Sequence, residues 1–88
     1  MIESENSQYY MVIEQFKENA MEDVYKRFSL RGRMLPDGLN YVDSWLDREN
    51  QRCFQVMQTQ NPSLFDEWTQ HWNDLVDFQI VAVEKTKQ

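Results

Sequence analysis

The chain has 88 residues, with fifteen acidic side chains against nine basic and a formal charge of −6; this length suits one domain rather than two, and the charge repels nucleic-acid phosphates and anionic lipid headgroups. No apolar run approaches the ~20 residues of a membrane-spanning helix, and the lone cysteine, Cys53, excludes an internal disulfide. Three Trp, four Tyr, five Phe and five Met are a heavy apolar load for a domain that hides only roughly 60 to 65% of its unfolded surface, so a partner surface is expected.

Residues 1–7 are mostly polar and aperiodic, as are residues 85–88, and both read as loose tails around a single domain over residues 8–84. With an unpaired thiol and no charged, apolar leader ahead of Gln8, a reducing cytoplasm is the expected location. Gln8 to Phe16 (QYYMVIEQF) is rich in aromatic and β-branched residues without Gly or Pro, the makeup of a strand. Asn19 stands three residues before Glu22 at capping-box spacing. Met21, Val24, Tyr25 and Phe28 then recur at threes and fours, predicting a helix to about Arg31 that Gly32 ends in a left-handed conformation.

Leu35-Pro36-Asp37-Gly38 places Pro second and Gly fourth, as a type I turn prefers. From Leu39 to Asp47, Tyr41, Asp43 and Trp45 alternate with Val42, Ser44 and Leu46, and Arg52 to Gln58 alternates likewise. The short polar Asp47 to Gln51 segment makes these two strands a hairpin. Asn61-Pro62 opens a second helix, capped by Asn61 or Ser63, with Leu64, Phe65, Trp68, Trp72 and Leu75 as its buried stripe. Phe78 to Val83 is a final apolar strand.

The order βαββαβ is that of the split ferredoxin-like α+β fold, with a four-stranded antiparallel sheet in the order 4-1-3-2. Each helix has one apolar stripe, so both helices are expected on one face of the sheet. Met11, Ile13, Val42, Leu46, Phe54 and Val56 are assigned to the helix side. The opposite face then carries Tyr10, Val12, Phe16, Tyr41, Trp45 and Met57 beside Glu14, Asp43, Cys53 and Gln55. A face this aromatic is expected to hide against a second copy, giving a C2 homodimer in the form of a dimeric α+β barrel.

Arg31-Gly32-Arg33-Met34, Pro36-Asp37-Gly38-Leu39, Tyr41-Val42-Asp43-Ser44-Trp45, Arg52-Cys53-Phe54-Gln55-Val56-Met57 and Trp72-Asn73-Asp74-Leu75-Val76-Asp77-Phe78 follow one another in order. In these blocks the chain resembles, from about Tyr10 to Val83, the bacterial family catalogued as domain of unknown function 3303. The resemblance implies a ferredoxin-like, dimeric protein. The family has no assigned activity, so no functional residue is transferred from it.

Glu14, Asp43, Cys53 and Gln55 are expected to cluster, because the third strand lies between the first and the second. Carboxylates beside Tyr41 and Trp45 in a partly dry cleft are candidates for raised pKa values and for general acid or base work, although hydrogen bonding across a dimer interface explains them as well. Tyr41, Trp45, Cys53 and Gln55 are the candidate ligand contacts. Cys53 lacks a base for nucleophilic work, since Arg52 points to the other face of the strand, so a structural thiol is expected. His71, the single histidine, is a candidate proton shuttle on the helix flank. It has no companion at ligand spacing, so no metal is expected. Lys26, Arg27, Arg31 and Arg33 form one basic cluster, able to grip an anion or simply to offset the helix dipole. Met21, Phe28, Phe65 and Trp72 read as core.

Several activities of comparable folds are excluded: iron–sulfur binding needs about four cysteines, a soft-metal chaperone normally needs paired thiols, and an RNA-binding sheet needs a basic surface. The expected function is a non-catalytic dimeric binding or interaction module for a small molecule or partner, with no cofactor. The alternative is a cofactor-independent enzyme, monooxygenase- or isomerase-like, in which Glu14, Asp43 or His71 handles protons. This alternative rests on fold analogy.

Overall fold

Period-two and period-3.6 segments alternate along the chain, and the computed structural model, which describes residues 8–87, turns them into six elements. They are β1 (Gln8–Phe16), α1 (Met21–Arg31), β2 (Asn40–Asp47), β3 (Arg52–Thr59), α2 (Leu64–Thr69) and β4 (Val76–Val83). The expected 1–7 tail lies outside the described residues. The sheet order is β2-β3-β1-β4 with every pair antiparallel, which is the expected 4-1-3-2. Val12 and Phe16 of β1, Met57 of β3 and Val76 of β4 form one core with Val24 of α1 and Phe65 and Trp68 of α2. Both helices therefore bury their stripes on the same side of the sheet.

That side is not the one expected. The helices cover the face of Tyr10, Val12, Glu14 and Phe16, and they leave Tyr9, Met11, Ile13 and Gln15 on the open face. Each parity of β1 holds three apolar residues, beside Gln8 and Glu14 on one and Gln15 on the other, so hydrophobicity within that strand cannot choose between them. β4 can. Val76, Phe78, Ile80 and Ala82 alternate with Asp77, Gln79, Val81 and Val83, and the first set is wholly apolar. Register pairs Phe16 with Val76 and Val12 with Ile80, so β1 follows the orientation that β4 prefers.

β2 departs from simple alternation. Tyr41 pairs with Met57 and Asp43 with Val56, so Val42 is an extra residue in a bulge. A bulge shifts the phase of everything beyond it. Tyr41 thus shares the helix side with Ser44 and Leu46, whereas Asp43 and Trp45 pass to the open face opposite Val56 and Phe54.

The helix ends also differ from expectation. Asn19 is not a cap: it adopts a positive φ of 61°, and the N-cap is Ala20, with no side-chain cap bond. At α2, Asn61 Oδ1 accepts hydrogen bonds from Ser63 N at 3.2 Å and Ser63 Oγ at 2.7 Å, while Ser63, at the N-cap, makes no side-chain cap bond. α2 stops at Thr69 and the chain continues in turns to β4, which begins two residues earlier than expected. Here the His71 carbonyl accepts from Arg27 Nη1 at 2.8 Å, and Leu75 N donates to Trp72 O instead. The turn before β2 lies one residue later than expected, closed by Leu39 N to Pro36 O at 3.2 Å. Gly38 is its third residue, with φ 96°, the position where a type II turn requires a positive φ.

Candidate functional site

Cross-strand register brings the polar residues together. Glu14 on β1 faces Cys53 on β3, Cys53 in turn faces Leu46 on β2, and Gln55 lies between Val12 and Ser44. All of these are on the helix side. Above them the space under α1 is incompletely filled, leaving a cavity of about 250 Å³. Its walls are apolar, drawn from Phe16, Val24, Phe28, Trp68 and Trp72, and its polar groups are Glu14, Arg33, Ser44, Cys53 and Gln55. Val24 is the one buried residue of α1. Tyr25 and Phe28, which the helical spacing places in the stripe, are 45% and 39% exposed and border the cavity rather than fill the core.

The segment after α1 positions the single cation. Gly32 and Met34 both have positive φ, 69° and 61°, so the chain reverses on either side of Arg33. The Arg33 carbonyl accepts hydrogen bonds from both buried indoles, Trp68 Nε1 at 2.9 Å and Trp72 Nε1 at 3.1 Å. Its guanidinium carbon lies 3.5 Å from the Tyr41 ring centroid and 5.0 Å from that of Phe28, a geometry in which the ring quadrupoles attract the charge. Arg33 Nε donates to Gln55 Oε1 at 3.4 Å, and Gln55 Nε2 donates to Glu14 Oε2. Gln55 therefore links the cation to the carboxyl.

Glu14 and Gln55 are buried, at 8% and 5% exposure. Burial pushes the Glu14 carboxyl up to about 7, against the opposing pull of Arg33 and of the Gln55 hydrogen bond. The same burial, reinforced by the neighbouring Glu14, pushes the Cys53 thiol up to about 11. A thiol held neutral in this way is a poor nucleophile. The site therefore offers a carboxyl raised toward neutral pH, a guanidinium linked to it, and aromatic walls.

Of the expected cluster, Glu14, Cys53 and Gln55 do meet, but beneath the helices rather than on the helix-free face. Asp43 does not join them: the Val42 bulge turns it to the open face, where its Oδ1 accepts from Ser44 N at 2.8 Å. Tyr41 supports Arg33, and Trp45 borders the cavity at the β2 edge. His71 is exposed in the turn after α2 and lies outside the cavity, in a shallow surface groove with Lys26, Arg27 and Arg31. The basic cluster is thus divided. Arg27 forks onto Asp74 at 2.8 and 2.7 Å and holds the Asp74 carboxyl down to about 2, while Arg33 alone enters the cavity. Tyr25 and Phe28 as site residues were not evident in the sequence, and Arg33 was legible there only as one member of the basic cluster. The legible signal was Gly32, a helix stop that swings the next residue off the helix axis.

Among the described residues no group of three His, Cys, Asp or Glu side chains is placed to hold a metal ion, and no helix is long and apolar enough to cross a membrane. A protein-family model matches residues 8–88, and its description is a domain of unknown function (DUF3303). No curated protein and no solved structure matches the chain.

Proposed function

This chain belongs to the DUF3303 family, and we propose that it is a homodimeric binding module whose small-molecule ligand occupies the cavity between the sheet and α1. The carrying observation is the cavity itself: a space of about 250 Å³ with aromatic walls and a few convergent polar groups, the usual makeup of a small-ligand site. A fully packed interior would have favoured a purely structural role.

Dimerisation is supported by the open face. Its two middle rows, Trp45–Phe54–Ile13–Gln79 and Asp43–Val56–Met11–Val81, are apolar except for one polar residue on an edge strand in each, and its end row of Asp47, Arg52, Gln15 and Asp77 is polar. An apolar centre bounded by polar groups is the anatomy of an interface. A second copy presents the same face, and two such sheets packed together form a dimeric α+β barrel. The cytoplasm is proposed as the location, on the strength of the unpaired thiol.

Melting temperature against a panel of small aromatic compounds tests the binding reading. A ligand at a hundred times its Kd stabilises the fold by about 2.7 kcal/mol, which is a clear upward shift. Flat melting curves across the panel would remove the proposal.

A second reading, a cofactor-independent enzyme, is favoured by one observation: the Glu14 carboxyl at about 7 is matched to proton transfer at neutral pH. In that case Glu14→Gln retains ligand binding and loses turnover of the bound compound. Equal turnover by the variant would exclude Glu14 from that role.

A further inference from the structure

Among the described residues Arg33 is the only cation lining the cavity, and it makes no salt bridge there. Its Nε is committed to Gln55 and one face of its guanidinium is covered by Tyr41. Its two Nη groups have no protein acceptor among the described residues. A guanidinium edge with both Nη groups available matches a carboxylate, which accepts two parallel hydrogen bonds. Of the other polar groups lining the cavity, Glu14 and Gln55 are bonded to each other and Ser44 to Tyr41.

The protein's own anion does not cancel this charge. Glu14 has no direct hydrogen bond to Arg33 among the described residues and is linked to it through Gln55, and against the pull of Arg33 burial keeps its carboxyl largely protonated below about 7. Cys53 and Tyr25, the other titratable groups facing the cavity from β3 and α1, have thiol and phenol pKa values that burial raises further, so both are neutral there. At mildly acid to neutral pH the cavity therefore holds an excess of positive charge between aromatic walls. A neutral occupant would leave that cation desolvated and unpaired, which is costly. An anionic occupant pairs it.

Resting on the ligand-binding reading, we propose that the cavity selects small aromatic carboxylates, the carboxylate forked by the two Nη groups of Arg33 and the ring held among Phe28, Trp68 and Trp72. Size limits the class to single-ring compounds, because about 250 Å³ is at or below the low end of the ~300–1,000 Å³ typical of ligand pockets. Arg33 is the specificity-determining residue, and Gln55 positions it.

The test is titration calorimetry at pH 6 with benzoate and with benzamide, its neutral isostere, on the unmodified protein and on Arg33→Gln. Benzoate is expected to bind at least tenfold more tightly than benzamide to the unmodified protein. Arg33→Gln, folded by circular dichroism, is expected to bind the two compounds equally. Arg33→Lys, which keeps the charge and loses the fork, should fall between them and serves as the second variant if Arg33→Gln does not fold. Benzamide binding as tightly as benzoate overturns the carboxylate inference and leaves the small-ligand reading intact. Binding of neither compound overturns this inference, while the wider panel of neutral and cationic aromatics judges the small-ligand reading separately.

Discussion

Glu14 carries most of what is unusual about this chain at the level of single residues. It sits in a strand otherwise made for a core, and its neighbours across the sheet are Cys53 and Phe78. Its carboxyl is raised from an ordinary 4.5 to about 7 in the folded protein. Between those values the unfolded chain has lost this proton and the folded chain still holds it, so the unfolded state binds fewer protons and stability falls as pH rises. The full contribution is present below pH 4.5 and has gone above about pH 7. Its size is on the order of 3 kcal/mol at one pKa unit per ~1.4 kcal/mol. Urea midpoints measured from pH 5 to pH 8 should decline more steeply for the unmodified protein than for Glu14→Gln, which cannot ionise. Parallel pH profiles would show that Glu14 titrates normally.

Among the elements, the link from α1 to β2 decides the site. Gly32 combines φ 69° with ψ −161°, a region open essentially to glycine alone. A Cβ there would meet no atom within 4 Å, so any cost of substitution comes from the backbone conformation and not from crowding. Gly32→Ala is therefore expected to destabilise by about 1–3 kcal/mol and to weaken ligand binding, since the reversal at Gly32 delivers Arg33 to the cavity. Urea unfolding reads the first effect and calorimetry the second. A variant as stable as the parent would show that the link tolerates another path. The bulge at Val42 has a comparable effect on β2: one inserted residue sends Asp43 and Trp45 to the open face and brings Tyr41 under Arg33.

For the whole molecule the question is what covers the second face of the sheet. Trp45 is 57% exposed and Val81 40%, and both belong to the apolar rows proposed as the dimer interface. Val56 lies in the same rows and is not part of the described core. Val56→Glu is therefore expected to leave the domain folded and to shift sedimentation at micromolar concentration from dimer to monomer. Tyr41→Glu is a poor test of the interface, because Tyr41 lies on the helix side against Arg33. If the unmodified protein already sediments as a monomer, the dimer proposal fails, while the cavity, which is built from one chain, is unaffected.

The element order was legible because it is written in local periodicity: QYYMVIEQF cannot be read as an amphipathic helix, and Met21, Val24, Tyr25 and Phe28 cannot be read as a strand. The grouping of Glu14, Cys53 and Gln55 was legible too, since strand order alone puts β3 beside β1. Which face those residues share with the helices was not legible. Period-two alternation says that a strand has two different sides without saying which is inside, and β1 offers nearly equal apolar content on both. Only tertiary packing resolved this, when the apolar side of β4 and the helix residues Phe65, Trp68 and Val24 closed over one parity. That Arg33 leaves the basic cluster for the cavity was hidden for a related reason: its place depends on two positive-φ residues, Gly32 and Met34, and two indole hydrogen bonds from α2 and the turn after it, contacts between segments more than thirty residues apart.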